Sequence, residues 1–84
     1  MNLPAIGILL NSALYLAAIF IAGLVQHNLI AEYLAIATFG INKLAYDLQL
    51  AWPTPTSGQR EWQILFVAVS IISGACAGVA LLVG

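Results

Sequence analysis

Residues 3–25 read LPAIGILLNSALYLAAIFIAGLV, and residues 62–83 read WQILFVAVSIISGACAGVALLV; neither run carries a single charge. A hydrocarbon core of roughly 30 Å takes about 20 apolar residues at ~1.5 Å rise per residue, so each run is long enough to cross a bilayer. Backbone groups placed in lipid must find their partners inside the segment, which makes both runs helices. The fold class expected from them is all-α: a membrane-type helical hairpin with two long apolar arms.

Working outward, the rest of the chain supports a membrane class over a small soluble one. Hydrophobic residues make up 63% of the 84 positions and charged residues 6%, against roughly a quarter charged in ordinary soluble proteins. Full charge resides on Glu32, Lys43, Asp47, Arg60 and Glu61 alone. Five such groups cannot coat a soluble domain of this size, so lipid or identical neighbours must cover the arms. Nucleic-acid binding by the single chain is disfavoured, because neutralising phosphates needs clustered Lys and Arg and the net charge is -1. Cys76, the single cysteine, has no internal partner and reads as a small apolar filler. Met1-Asn2-Leu3-Pro4 lacks the basic start of a secretory signal, and the first span can itself act as an uncleaved insertion signal.

Pro4 suits a first helical turn, where its missing N–H would have had no partner, and no further proline occurs up to Val25. Gln26-His27-Asn28 then interrupts the apolar run, predicting a bend in the first arm or an interfacial stretch. Leu29–Trp52 reads as a mixed helix. At about 100° per residue, Lys43 falls about 20° and Asp47 about 60° around the helix from Glu32, so the three charges share one side, interrupted by Ile36 and Phe39. Charges at a bilayer centre cost about 2.5 to 3.5 kcal/mol each, so this segment either crosses lipid or lies at its interface; Lys43 and Asp47, four apart, partly neutralise each other. Pro53-Thr54-Pro55-Thr56-Ser57-Gly58 is a turn that separates the arms. Thr56 followed by Gln59 fits a capping box, which starts the last helix near Gln59 and runs it to Gly84. Trp52 and Trp62 flank the turn as interfacial anchors. The whole, residues 1–84, is read as one hairpin without internal repeat: apolar helix 3–25, mixed helix 29–52, turn 53–58 and apolar helix 59–84.

Few groups are placed to carry chemistry. Ser70, Gly74 and Gly78 recur every four residues on the last helix, and Gly74-Ala75-Cys76-Ala77-Gly78 is a GxxxG motif. Between helices in lipid such a stripe permits close backbone approach, here against another copy or against helix one, which has its own small faces at Ala13/Ala17 and Ala18/Ala22. His27, the one histidine, is either an interfacial hydrogen-bonding residue or, in a photosynthetic subunit, a ligand for the magnesium of chlorophyll. Glu32 comes too soon after a polar break to match the mid-span carboxylate of a rotary membrane ring. No His or Cys pair has zinc spacing and no phosphate-cradling loop occurs. A lone histidine beside a helix bend gives no base with an orienting partner, so no enzyme is expected.

Two apolar arms, a short charged turn and the small-rich segment Ser73-Gly74-Ala75-Cys76-Ala77-Gly78 together resemble, in outline and over the whole chain, the conjugative pilins of type IV secretion systems. These are the T-pilin and F-pilin class, with archaeal relatives used for DNA import. The resemblance implies a structural subunit that is inserted in the cell membrane and then built into an extracellular tubular pilus, a homopolymer packed with phospholipid or ether lipid and needing no other cofactor. It further implies that Lys43 and Arg60 meet lipid headgroups or the contents of the lumen, and that the partners are other copies of the chain. The alternative is a low-molecular-mass accessory subunit of a photosynthetic or respiratory membrane complex, with His27 as a pigment ligand.

Overall fold

The computed structural model describes residues 3–84, with side chains from Ala5 onward, and every regular element in it is helical. Met1 and Asn2, the beginning of the segment read as lacking a basic leader region, lie outside the described residues. Helix α1 spans Leu3–Phe20 and runs directly into a π-helical stretch, Ile21–Val25; α2 spans Leu29–Ala51 and α3 spans Ser57–Val83. The expected capping box forms, with Thr56 Oγ1 accepting from Gln59 N at 3.3 Å and Gln59 Oε1 accepting from Thr56 N at 3.1 Å. Because Thr56 is the cap itself, α3 starts at Ser57, two residues before the position the sequence marks.

The two-armed hairpin with a bent first arm is replaced by three helices joined by two reversals. In the π-helical stretch the amide of Gln26 reaches Ile21 O at 2.9 Å and that of Asn28 reaches Ala22 O at 2.8 Å, which widens the last turn. His27 then takes a left-handed backbone, φ 52°, and Asn28 an extended one, so the polar triplet turns the chain back completely instead of bending it. Asn28 Oδ1 accepts from Ala31 N at 3.2 Å and caps the new helix. As a result α2 runs antiparallel to α1, and after the 52–56 loop α3 runs antiparallel to α2. The bundle measures 43 × 21 × 14 Å, with α2 packed along both neighbours and α1 meeting α3 more sparsely.

The interior is made of small and polar residues. On α2 the buried positions are Ala31, Ala35, Thr38, Asn42 and Ala45, alternating four and three apart as in a heptad seam. On α3 they are Gln63, Ser70 and Ala77, one heptad apart each. Ala5, Ile8 and Ala22 serve α1 and its π-helical extension. Large apolar side chains such as Leu10, Leu14, Leu24, Ile30, Ile72 and Leu82 point outward. This arrangement inverts that of a soluble bundle.

Asn42, 2% exposed, holds the seam together. Its amide nitrogen donates to Ile8 O at 2.9 Å and to Ser12 Oγ at 2.8 Å on α1, while its Oδ1 accepts from Ser70 Oγ at 3.2 Å on α3. One turn away Thr38 Oγ1 donates to Leu34 O at 2.7 Å, which spends its only proton, so Ser73 Oγ must be the donor in the 2.5 Å contact between the two hydroxyls. At the far end of α2, Gln63 Nε2 donates to Leu48 O and Trp52 O, both at 3.1 Å; Leu48 O also accepts from Trp52 N, so the amide adds a second donor there and provides one for Trp52 O. No buried side-chain nitrogen or oxygen among the described residues lacks a partner.

Asn42→Ala removes a three-way link, takes the acceptor from Ser70 Oγ on α3 and leaves Ser12 Oγ on α1 with its bond to Ile8 O alone. It should destabilise the bundle by about 1–3 kcal/mol, measured by circular dichroism during thermal unfolding in detergent micelles. A loss no greater than that of outward-facing Leu14→Ala would show that the seam is not held by this amide.

Candidate functional site

With the interior closed, what the molecule offers to others is its surface: one apolar flank and two polar ends. At the end near the 52–56 loop, Lys43 Nζ pairs with Asp47 Oδ2 at 3.0 Å, one helical turn apart, with both side chains largely exposed. A surface pair of this kind stabilises by at most about 1 kcal/mol. Lys43 also borders a shallow groove between α1 and α2, together with Leu9, Ser12, Phe39 and Tyr46. Arg60 is exposed and stands at a cleft of about 430 Å³ between the loop and α3, whose walls include Trp52, Pro53, Pro55, Ile64 and Ile71. Trp62, also exposed, stacks at a tilt on Phe66 with ring centres 6.2 Å apart. Lys43 and Arg60 therefore lie towards the same end of the bundle but line different grooves.

At the opposite end the 26–28 turn closes over the last turn of α3. Gln26 Nε2 donates to Leu81 O at 3.1 Å and Asn28 Nδ2 donates to Ala80 O at 3.0 Å. The single Asn28 amide thus caps the start of α2 and the end of α3 at once. Glu32 folds its carboxylate over Gly23, into the space a Cβ would take. His27 is exposed at the tip of the turn, and among the described residues no three His, Cys, Asp or Glu side chains gather into a metal-binding group.

The stripe on α3 divides into three environments. Ser70 is buried and bonded to Asn42. Gly74 lies under the Tyr15 ring of α1: a Cβ there would stand 2.8 Å from Tyr15 Cε1 and 2.9 Å from its hydroxyl oxygen. At Gly78 no atom from another part of the chain comes within 4 Å of the corresponding point. Cys76 faces outward, so within the single chain it fills no interior space. The small faces Ala13/Ala17 and Ala18/Ala22 divide as well, since Ala22 is buried and Ala13 and Ala17 are exposed.

Of the residues that make the cross-helix bonds, Asn42, Thr38, Ser12 and Gln63 were not singled out in the sequence, whereas Ser70, Ser73, Gln26 and Asn28 stood in segments that were, without these bonds being expected. For Thr38 and Asn42 the signal was present in the four-three spacing of 31, 35, 38, 42 and 45. Comparison with protein-family models, characterised proteins and solved structures finds no match for this chain.

Two outcomes follow from these environments. Gly74→Leu must displace Tyr15 and should cost about 1–3 kcal/mol in the isolated chain, whereas Gly78→Leu should stay within about 0.5 kcal/mol of the parent. Thermal melts of both variants in micelles decide this, and equal losses would contradict the geometry. Separately, His27→Gly relieves a left-handed residue of its Cβ and should raise stability by about 0.5–1 kcal/mol after glycine's own entropic penalty; a drop in the same melt would mean that the imidazole is needed where it stands.

Proposed function

We propose that this chain is a non-catalytic structural subunit that inserts in the membrane and assembles with copies of itself and with lipid into a tubular pilus of the conjugation or DNA-transfer type. The observation that carries the reading is the inverted distribution of side chains. A seam of Ala, Ser, Thr, Asn and Gln is buried while Leu, Ile, Val and Phe residues cover the flank. Exposed to water, that flank would drive aggregation. Covered by acyl chains and by neighbouring copies it is at rest, and two of the helices, Ala5–Val25 and Ser57–Val83, are long and apolar enough to cross a membrane.

Gly78, half-buried and with open space where a Cβ would stand, and exposed small residues such as Ala13 and Ala17 offer places where another helix can approach closely. Lys43 and Arg60 are the groups available for lipid headgroups, or for the lumen of a tube. Since α2 is a separate antiparallel helix and not the extension of an arm, the proposal rests on the surface and not on the hairpin outline.

Membranes from cells expressing the chain, extracted in mild detergent and viewed by negative stain, should yield fibres of this one protein, with phospholipid or ether lipid found in them by mass spectrometry. Recovery in a particle of many different proteins would overturn the pilus reading in favour of an accessory subunit. Recovery as a lipid-free soluble monomer would overturn membrane insertion itself.

A further inference from the structure

We infer that the chain crosses the bilayer three times, with the 52–56 loop on the cytoplasmic side and both the 26–28 turn and the C-terminal end of α3 on the opposite side. The inference rests on membrane insertion as proposed above and is independent of the pilus. Its starting point is the relative direction of the two apolar helices. Tyr15 on α1 lies against Gly74 on α3, and Gln26, just beyond α1, reaches Leu81 near the end of α3. Moving forward along the first helix therefore means moving forward along the third, so the two run parallel.

Two parallel spans cannot be joined by a loop on one side of a membrane; the chain has to return between them. The returning element is α2, whose 23 residues extend about 34 Å at 1.5 Å each, enough to recross a core of roughly 30 Å. Its composition alone hides this, because Glu32, Lys43 and Asp47 keep it from reading as an apolar span. Glu32 and Asp47 sit towards its ends, however, and Lys43 lies three residues past the midpoint of Leu29–Ala51. Glu32 is in the first turn, and Lys43, paired with Asp47, can extend its stem towards the Trp52 end. The stretch from Tyr33 to Asn42 is free of charge; Thr38 and Asn42 are bonded to α1 and α3 and withdrawn from lipid, and the one exposed hydroxyl, that of Tyr33, stands at its start beside Glu32. α2 crosses because it is carried between two apolar neighbours.

The ends then differ in basic charge. Lys43 and Arg60, the whole basic complement of the sequence, lie towards the end formed by the 52–56 loop and the start of α1. The end formed by Gln26, His27, Asn28 and the last turn of α3 has neither Lys nor Arg. Short loops rich in Lys and Arg are retained in the cytoplasm, which fixes the orientation.

Single cysteines in the full chain test this, in a Cys76→Ala background, using a membrane-impermeant maleimide on intact cells, then after permeabilisation, then after denaturation. Val83→Cys should be modified in intact cells, Thr54→Cys only after permeabilisation, and Ala37→Cys, outward-facing in the middle of α2, only after denaturation. Modification of Val83→Cys and Thr54→Cys from the same side would overturn the three crossings while leaving insertion intact. The opposite sidedness would overturn the orientation. Immediate modification of Ala37→Cys in a soluble fraction would instead remove the membrane reading on which the inference rests. As a second measurement, Lys43→Gln and Arg60→Gln combined with His27→Arg moves the basic charge to the other end and should shift the labelling towards the inverted pattern; an unchanged pattern would overturn the charge argument.

Discussion

Among the described residues the amide of Asn42 is the one group that touches all three helices through bonds of defined direction, and the register of the bundle depends on it. In lipid, apolar side chains gain little by leaving one apolar surface for another, so burial alone does not tell α2 how far to slide along its neighbours. A buried amide does, because its bonds have direction and leaving it unpaired costs about 1–3 kcal/mol. Two donors pointed at Ile8 O and Ser12 Oγ and one acceptor facing Ser70 Oγ are satisfied together in one alignment. Thr38 and Ser73 repeat the condition one turn away.

The same economy governs the helix ends. Each leaves carbonyls or amides without intrahelical partners, and near a membrane water is an uncertain partner. Gln63 covers the end of α2, Gln26 and Asn28 cover the end of α3, and Asn28 also covers the start of α2. Four carboxamides, at 26, 28, 42 and 63, thereby connect every helix to another. Their neighbours along the seam are Ala and Ser, and these small residues let the amides reach across.

Much of the fold was legible in the sequence. The proline-rich break, the Thr56–Gln59 cap and the two charge-free runs specify where helices lie because each acts locally. The reversal at Gln26-His27-Asn28 was read only as a bend, since nothing in three polar residues announces that His27 will turn left-handed. The seam was missed for a different reason. Pattern reading looks for large apolar residues on the inner face, and here the inner face is Ala31, Ala35, Thr38, Asn42 and Ala45 while Leu and Ile lie outside. The GxxxG motif illustrates the limit for the candidate site. Gly74 and Gly78 are equivalent in sequence, yet one has Tyr15 upon it and the other has open space, a difference that depends on which α1 side chain falls opposite each.

Each cross-helix hydrogen bond among the described residues joins an amide or hydroxyl to another neutral group. None of these partners gains or loses a proton in ordinary aqueous conditions, and none is screened by dissolved ions as an exposed ion pair is. The only ion pair among the described residues, Lys43–Asp47, lies within a single turn of one helix and ties no two elements together. Acid, alkali and brine thus have little purchase on what holds the three helices in place, and such a bundle can be carried from one ionic surrounding to another without its cohesion being reset.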